Sequence, residues 1–150
     1  MKKIAVLLAS SILYLSSGYA QLKNVPAAVT EGFKKRYPVS MNIQNVKWMK
    51  DGSAYAARFV YNGDPYTSRF TEQGAWLDET RKLNFGELRN NVRNAFSQSK
   101  FATWRAYEVN QIQERNKEAQ YRILIRSADD QPPKYLYYDG RGQMMKEASM

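Results

Sequence analysis

"RFTEQGAWLDE" occupies residues 69–79, and "YYDGRGQMMKE" occupies residues 137–147. Each stretch passes from an aromatic residue through a polar turn and a glycine to a short segment ending in glutamate. The glycines are Gly74 and Gly142; the closing glutamates are Glu79 and Glu147. A chain that repeats itself in this way predicts a duplicated unit, and the remaining sequence tests the idea by alignment.

Upstream of the first stretch, "NVPAAVTEGFKKRYP" places Val25, Val29 and Phe33 at successive fourth positions, with Ala28 and Gly32 beside them. This spacing makes one apolar stripe on a helix. Pro26 suits the first turn, where its missing N–H costs nothing, and Pro38 ends the run. At a constant offset Leu88, Val92 and Phe96 repeat the stripe, with Ala95 in place of Gly32. The same offset carries Val46 onto Val109 and Met49 onto Ile112. With small insertions "AARFVY", from Ala56, falls on "QYRILI", from Gln120, so that Arg58 matches Arg122. The insertions fall at "DGS" against "NKE" and at "NGDPY" against "ADDQPPK", where hairpin turns are predicted. Gaps confined to turns are what a duplicated fold requires.

Each unit therefore reads as a helix followed by about four short antiparallel strands. The alternation is clear in "YAARFVY", where Tyr55, Ala57, Phe59 and Tyr61 share one face and Ala56, Arg58 and Val60 share the other. Tyr121, Ile123 and Ile125 likewise oppose Gln120, Arg122, Leu124 and Arg126. A period of two with one apolar side means a half-buried sheet whose apolar side meets the helices. The expected fold class is α+β: two tandem repeats, about 24–82 and 83–148, forming one antiparallel sheet with both helices on one face.

"VPAAVTEGFKKRYP", "VKW", "YAARF" and "FTEQGAWLDE" together resemble the PepSY-like proteins, a β-lactamase-inhibitor-like group of small exported bacterial proteins. The resemblance spans residues 21–150 as two copies. It implies a curved antiparallel sheet, an architecture similar to that of β-lactamase inhibitory protein, and no catalytic residue. The second unit departs from the pattern: it has Arg89 and Phe101 where the first has its two prolines, and a longer "DDQPPK" hairpin.

The first 20 residues read as a signal peptide. "MKK" is a positive start, "IAVLLASSILYL" is too short to span a bilayer comfortably, and Gly18 and Ala20 supply small residues before a cleavage point. The expectation is a single domain, residues 21–150, exported to the periplasm or secreted, with no lipid anchor and no membrane span after cleavage. The formal charge is +9, or +7 without Lys2 and Lys3. Export turns such a charge away from nucleic acid and toward an acidic protein, an anionic envelope polymer or simple solubility.

Catalytic readings lack their reagents. The chain has no His and no Cys, which removes the commonest general base, the thiolate nucleophile and most transition-metal sites. "SQSK" (97–100) matches S-x-x-K formally, but it closes a helix and has no S-D-N or K-T-G partner. Asp129 and Asp130 read as turn formers, and "DGRG" from Asp139 reads as a hairpin turn. No enzyme, no cofactor and no metal site are expected.

Binding is better supplied. The face opposite the helices is expected to carry Arg58, Val60, Arg69, Arg122, Leu124, Arg126, Tyr135 and Tyr137, with Arg122 and Tyr137 exposed near its middle. Arg and Tyr are enriched at interface centres because each joins a large contact area to a polar end. The same residues also serve an ordinary solvated sheet. Trp48, Trp76 and Trp104 are assigned to the core. The expected function is docking of a protein or peptide of the cell envelope on the open sheet face, of which restraint of an envelope enzyme is one form. The alternative is an anionic small molecule or envelope polymer held by the arginines.

Overall fold

The computed structural model describes residues 22–129 and 131–150. The proposed signal peptide, the cleavage point before Gln21 and Asp130 of the aspartate pair lie outside them.

Two helices and eight strands follow one another in a simple order. Helix α1 (Ala27–Arg36) precedes β1 (Gln44–Asp51), β2 (Ala54–Tyr61), β3 (Asp64–Phe70) and β4 (Trp76–Leu83). Helix α2 (Asn90–Ser97) precedes β5 (Arg105–Glu114), β6 (Gln120–Arg126), β7 (Lys134–Tyr138) and β8 (Met144–Ser149). The strands form one antiparallel sheet in sequential order, open at β1 and β8.

The helix ends follow from local chemistry. Pro26 stands immediately before α1 at φ −54°, ψ 140°, and its carbonyl accepts the N–H groups of Val29 and Thr30. Lys34, Lys35 and Arg36 occupy the last turn, where positive charge suits the carbonyl end of the helix dipole. Arg89 stands before α2 with almost the same backbone, φ −54°, ψ 142°. The absent proline therefore costs α2 no geometry. Leu88, expected on the helical stripe, lies just ahead of α2 at the end of a short 3-10 turn (Phe85–Glu87) and is still buried. That turn begins with a reciprocal cap, in which the Asn84 backbone N–H donates to the Glu87 carboxylate.

Hairpins join the strands where turn residues predicted them. Asn62 and Gly63, at φ 51° and 87°, form the two-residue link between β2 and β3 that Asn-Gly favours. Directly opposed residues in a sheet share a face. One such row runs Phe59, Tyr66, Arg81, Gln111, Tyr121, Tyr138 and Met144 across β2 to β8. Its two ends belong to two separate hydrophobic clusters. Val29 and Phe33 of α1 pack with Ala57, Phe59 and Phe70. Val92 and Phe96 of α2 pack with Val109, Ile123, Ile125 and Leu136. Between them the row is polar, at Arg81 and Gln111. Arg81 meets the carboxylates of Asp64 and Glu87 there, so the middle of the sheet is bridged by charge rather than by packing. All three tryptophans are partly buried against the clusters, Trp48 and Trp76 on the α1 side and Trp104 on the α2 side.

Candidate functional site

Residues of the other alternation line a trough that crosses the sheet. Its rows include Arg58–Thr67–Thr80–Ile112, Arg69–Asp78–Glu114 and Lys82–Asn110–Arg122–Tyr137. Two concavities, of about 670 and 530 Å³, share Arg58, Thr67, Thr80, Glu108 and Asn110, and so form one continuous depression. The larger reaches from Asp51 on β1 to Tyr137 on β7.

Arg58, Arg69, Arg122 and Tyr137 all line this trough, as their alternation predicted. Their settings differ. Arg58 is exposed. Arg69 is clamped: its Nε lies 2.9 and 3.0 Å from the two carboxylate oxygens of Asp78, and its Nη1 donates to Asp51 at 3.1 Å. The hydrogen bonds that Arg69 donates to Asp78 first, and then to Asp51, hold this guanidinium further above its already high range. Arg122 approaches Glu108 at 3.6 Å and stacks over the Tyr135 ring at 5.0 Å. Its Nε is buried and has no acceptor among the described residues.

Arg122 and Tyr137 were expected to be exposed, and both are half-buried instead. Concavity is the reason. Arg122 and Tyr137 both line the larger depression, and the neighbouring Leu124 is buried. Tyr135 and Tyr137 lie side by side, ring centres 6.5 Å apart, with Lys146 over Tyr137 at 5.5 Å. Arg126 is not part of the trough. It lies beyond its β6 end with Arg105 and Tyr107.

The sequence reading assigned faces on β2, β3, β6 and β7 but not on the central pair. It therefore missed Asp51, Asp78, Glu108 and Glu114, which also line the trough. Period-two counting along β4 and β5 would have found the last three. With them the surface is a lattice of paired charges rather than an arginine-rich patch.

Fold and trough together define an α+β protein with two helices and an open eight-stranded antiparallel sheet that carries a polar trough. Among solved structures the chain is similar to a DUF2874 family protein from Bacteroides ovatus, at 26% identity and a TM-score of 0.80, over 85% of this chain and 89% of that one. It is also similar to a BLIP-like protein from Bacteroides fragilis, at 23% identity and a TM-score of 0.76, over 89% and 90% of the two chains. A protein described as periplasmic from Bacteroides eggerthii shares the fold at 23% identity and a TM-score of 0.77, over 84% and 89%. No family model matches the sequence, and no curated protein matches it. Among the described residues no helix is long and apolar enough to cross a membrane.

Proposed function

We propose that this chain is an exported, non-catalytic module that works in the periplasm and takes a protein or peptide partner in its trough. The observation that carries the reading is the buried Arg122 Nε, a donor without an acceptor among the described residues, on a side chain that lines a depression of about 670 Å³. A buried donor left unpaired costs free energy, and an acceptor brought by a partner recovers it. Half-buried Tyr135 and Tyr137 beside it offer the aromatic contact typical of interface centres. In this reading Arg58, Arg69, Arg122, Tyr135 and Tyr137 form the docking surface, and Arg126 extends it.

The finer architecture belongs to the same proposal. Residues 24–82 and 83–148 are two PepSY-like copies of one unit, with both helices on one side of the sheet. In support, Pro26 and Arg89 adopt matching dihedrals, and Phe59 of the α1 cluster shares a cross-strand row with Tyr121 and Tyr138 of the α2 cluster. Export is supported by the charged, apolar, small-residue order of the first 20 residues and by the likeness to a protein described as periplasmic. Docking is supported by the likeness to a BLIP-like protein, and a non-enzymatic role by the lack of His and Cys.

The pairing of Arg69 with Asp78 and Asp51, and of Arg122 with Glu108, favours a protein over an anionic polymer in the trough. A polymer gains most from unpaired cations. Thr80 lines both concavities, so Thr80→Arg fills the trough without touching the helix side. Capture of the envelope partner by this variant is expected to fall sharply, with stability held within about 1 kcal/mol in thermal melts. Undiminished capture with an unchanged melt would remove the trough from consideration.

A further inference from the structure

Beyond the β6 end of the trough, Arg105 and Arg126 are directly opposed across β5 and β6. Like charges facing each other in a sheet destabilise it unless something neutralises them. Lys47 and Arg58 are opposed in the same way, but the concavity they line also contains Glu108. Around Arg105 and Arg126 the described lining is Thr103, Tyr107, Ser127 and Ala128, with no carboxylate among the described residues. Among the described residues neither guanidinium makes an ion pair. Asp129, close by in sequence, gives its backbone N–H to Ser127 Oγ, and Glu108 is engaged by Arg122 and Asn110.

A fault in strand regularity completes the cluster. The register of β5 shifts between Ala106 and Glu108, which leaves Tyr107 as the extra residue of a bulge. Simple alternation from buried Val109 would point Tyr107 at the core. Instead it is 50% exposed, with the Arg105 and Arg126 guanidinium carbons over its ring at 5.1 and 4.6 Å. Bulges commonly re-aim a side chain next to a working surface. Here the bulge brings an aromatic ring to two cations that have no ion-pair partner among the described residues. In the aligned first unit Asn42, Gln44 and Asn62 stand where these three residues would be, so the cluster belongs to the second unit alone.

We infer that Arg105, Tyr107 and Arg126 form an anchor for a carboxylate of an acidic protein segment, which continues from there into the trough. The concavity, about 170 Å³, suits one carboxyl group and its methylenes rather than a larger ligand. Paired guanidiniums supply charge-assisted hydrogen bonds, and the tyrosine supplies apolar contact for the side chain that bears the acid. Arg126 and Arg122 are four residues apart on one face of β6, about 13 Å by strand rise, so an extended segment of about four residues bridges the two. This inference rests on the trough being a docking surface and names the chemistry of what docks.

The test is a titration of the ¹⁵N-labelled protein with a hexaglutamate peptide and, separately, with inorganic phosphate. Hexaglutamate is expected to shift the signals of Arg105, Tyr107, Arg126 and Ser127 saturably. The Arg105→Gln/Arg126→Gln variant is expected to bind it about tenfold more weakly or worse, and a variant at the exposed Arg141 of the β7–β8 turn, Arg141→Gln, as the wild type does. The spectrum of each variant reports its folding directly. Equal affinity in the double variant, or shifts spread evenly over the basic side chains, would overturn the anchor. Phosphate saturating the cluster more tightly than the peptide would overturn the acidic segment in favour of a small anion. Peptide shifts confined to Arg122 and Tyr137 would overturn the anchor and leave the docking reading standing. No response to the peptide anywhere, together with undiminished capture by Thr80→Arg, would overturn both.

Discussion

At Gly142 the backbone has φ +88°, and a Cβ built there would lie 2.5 Å from the carbonyl oxygen of Asn91 in α2. Gly74 is in the same position against α1, at φ +80°, and a Cβ built there would likewise collide with the Ala28 carbonyl oxygen. The two glycines of the repeated phrase are thus explained by conformation and by contact together. A side chain in this backbone region costs about 1–3 kcal/mol, and the helix would have to move as well. Gly142→Ala is accordingly expected to lower stability by at least that amount in a denaturant titration. A second residue-scale prediction concerns Tyr37, whose phenol donates to the Glu79 carboxylate and lies 2.9 Å from Ser68 Oγ. Burial first, and then the Glu79 carboxylate, push its ionisation well above the usual tyrosine range. The folded protein holds the proton where the unfolded chain releases it. Stability from this group is therefore complete below about pH 10 and falls as the pH rises beyond that. Tyr37→Phe is expected to lose stability less steeply above pH 10 than the wild type, by up to about 1.4 kcal/mol per pH unit. Parallel slopes in pH-dependent melts would contradict this.

Between residue and molecule stand the two helices, each held by one aromatic side chain. Phe96 is 5% exposed and contacts Phe85 edge to face. Phe33 is less buried but touches the rings of Tyr37, Trp48, Phe59 and Phe70. Truncating a core phenylalanine costs about 3–5 kcal/mol. Phe96→Ala is expected within that range and Phe33→Ala toward its lower end, as measured by chemical denaturation. A nearly neutral result for either would detach that helix from its cluster. Both helices were legible because the spacing of Val25, Val29 and Phe33, and of Leu88, Val92 and Phe96, is a local property of the chain. The bulge at Tyr107 was not legible. It appears only when β5 is held against β6, and no local residue pattern announces it.

On the scale of the whole molecule the two sheet edges are managed differently. The N–H of Leu22 donates to the Trp48 carbonyl and covers part of β1. The β8 edge carries Lys146 and Glu147, charges that discourage pairing with another chain. Glu147 is bound by Lys134 and Lys100, whose hydrogen bonds, Lys134 first, hold its carboxyl below the usual range. Export is a statement about the molecule as a whole, since it decides which partners the formal +7 of residues 21–150 can meet. Mass spectrometry of the protein from its native host is expected to place the N-terminus at or beside Gln21. An intact Met1 on the bulk of the material would instead return nucleic acid to the list of partners.

The sequence alone determined the order of elements, the hairpin positions and the membership of each sheet face in β2, β3, β6 and β7. Helical and strand periods are set by backbone geometry, so they can be counted along the chain. Arg58, Arg69, Arg122 and Tyr137 were legible as trough residues on that basis. Tertiary structure alone decided what they face. Arg69 meets Asp51 from β1 and Asp78 from β4, and Arg122 meets Glu108 from β5. Those partners are brought by register, which depends on every hairpin in between. The half-burial of Arg122 and Tyr137 was decided in the same way, because exposure depends on which side chains the neighbouring strands bring beside a residue, here Glu108, Tyr135 and Lys146. The union of Arg126 with Tyr107 followed from one extra residue in one strand. A single-residue shift in a sheet changes which face a side chain occupies, and only the paired strand defines it.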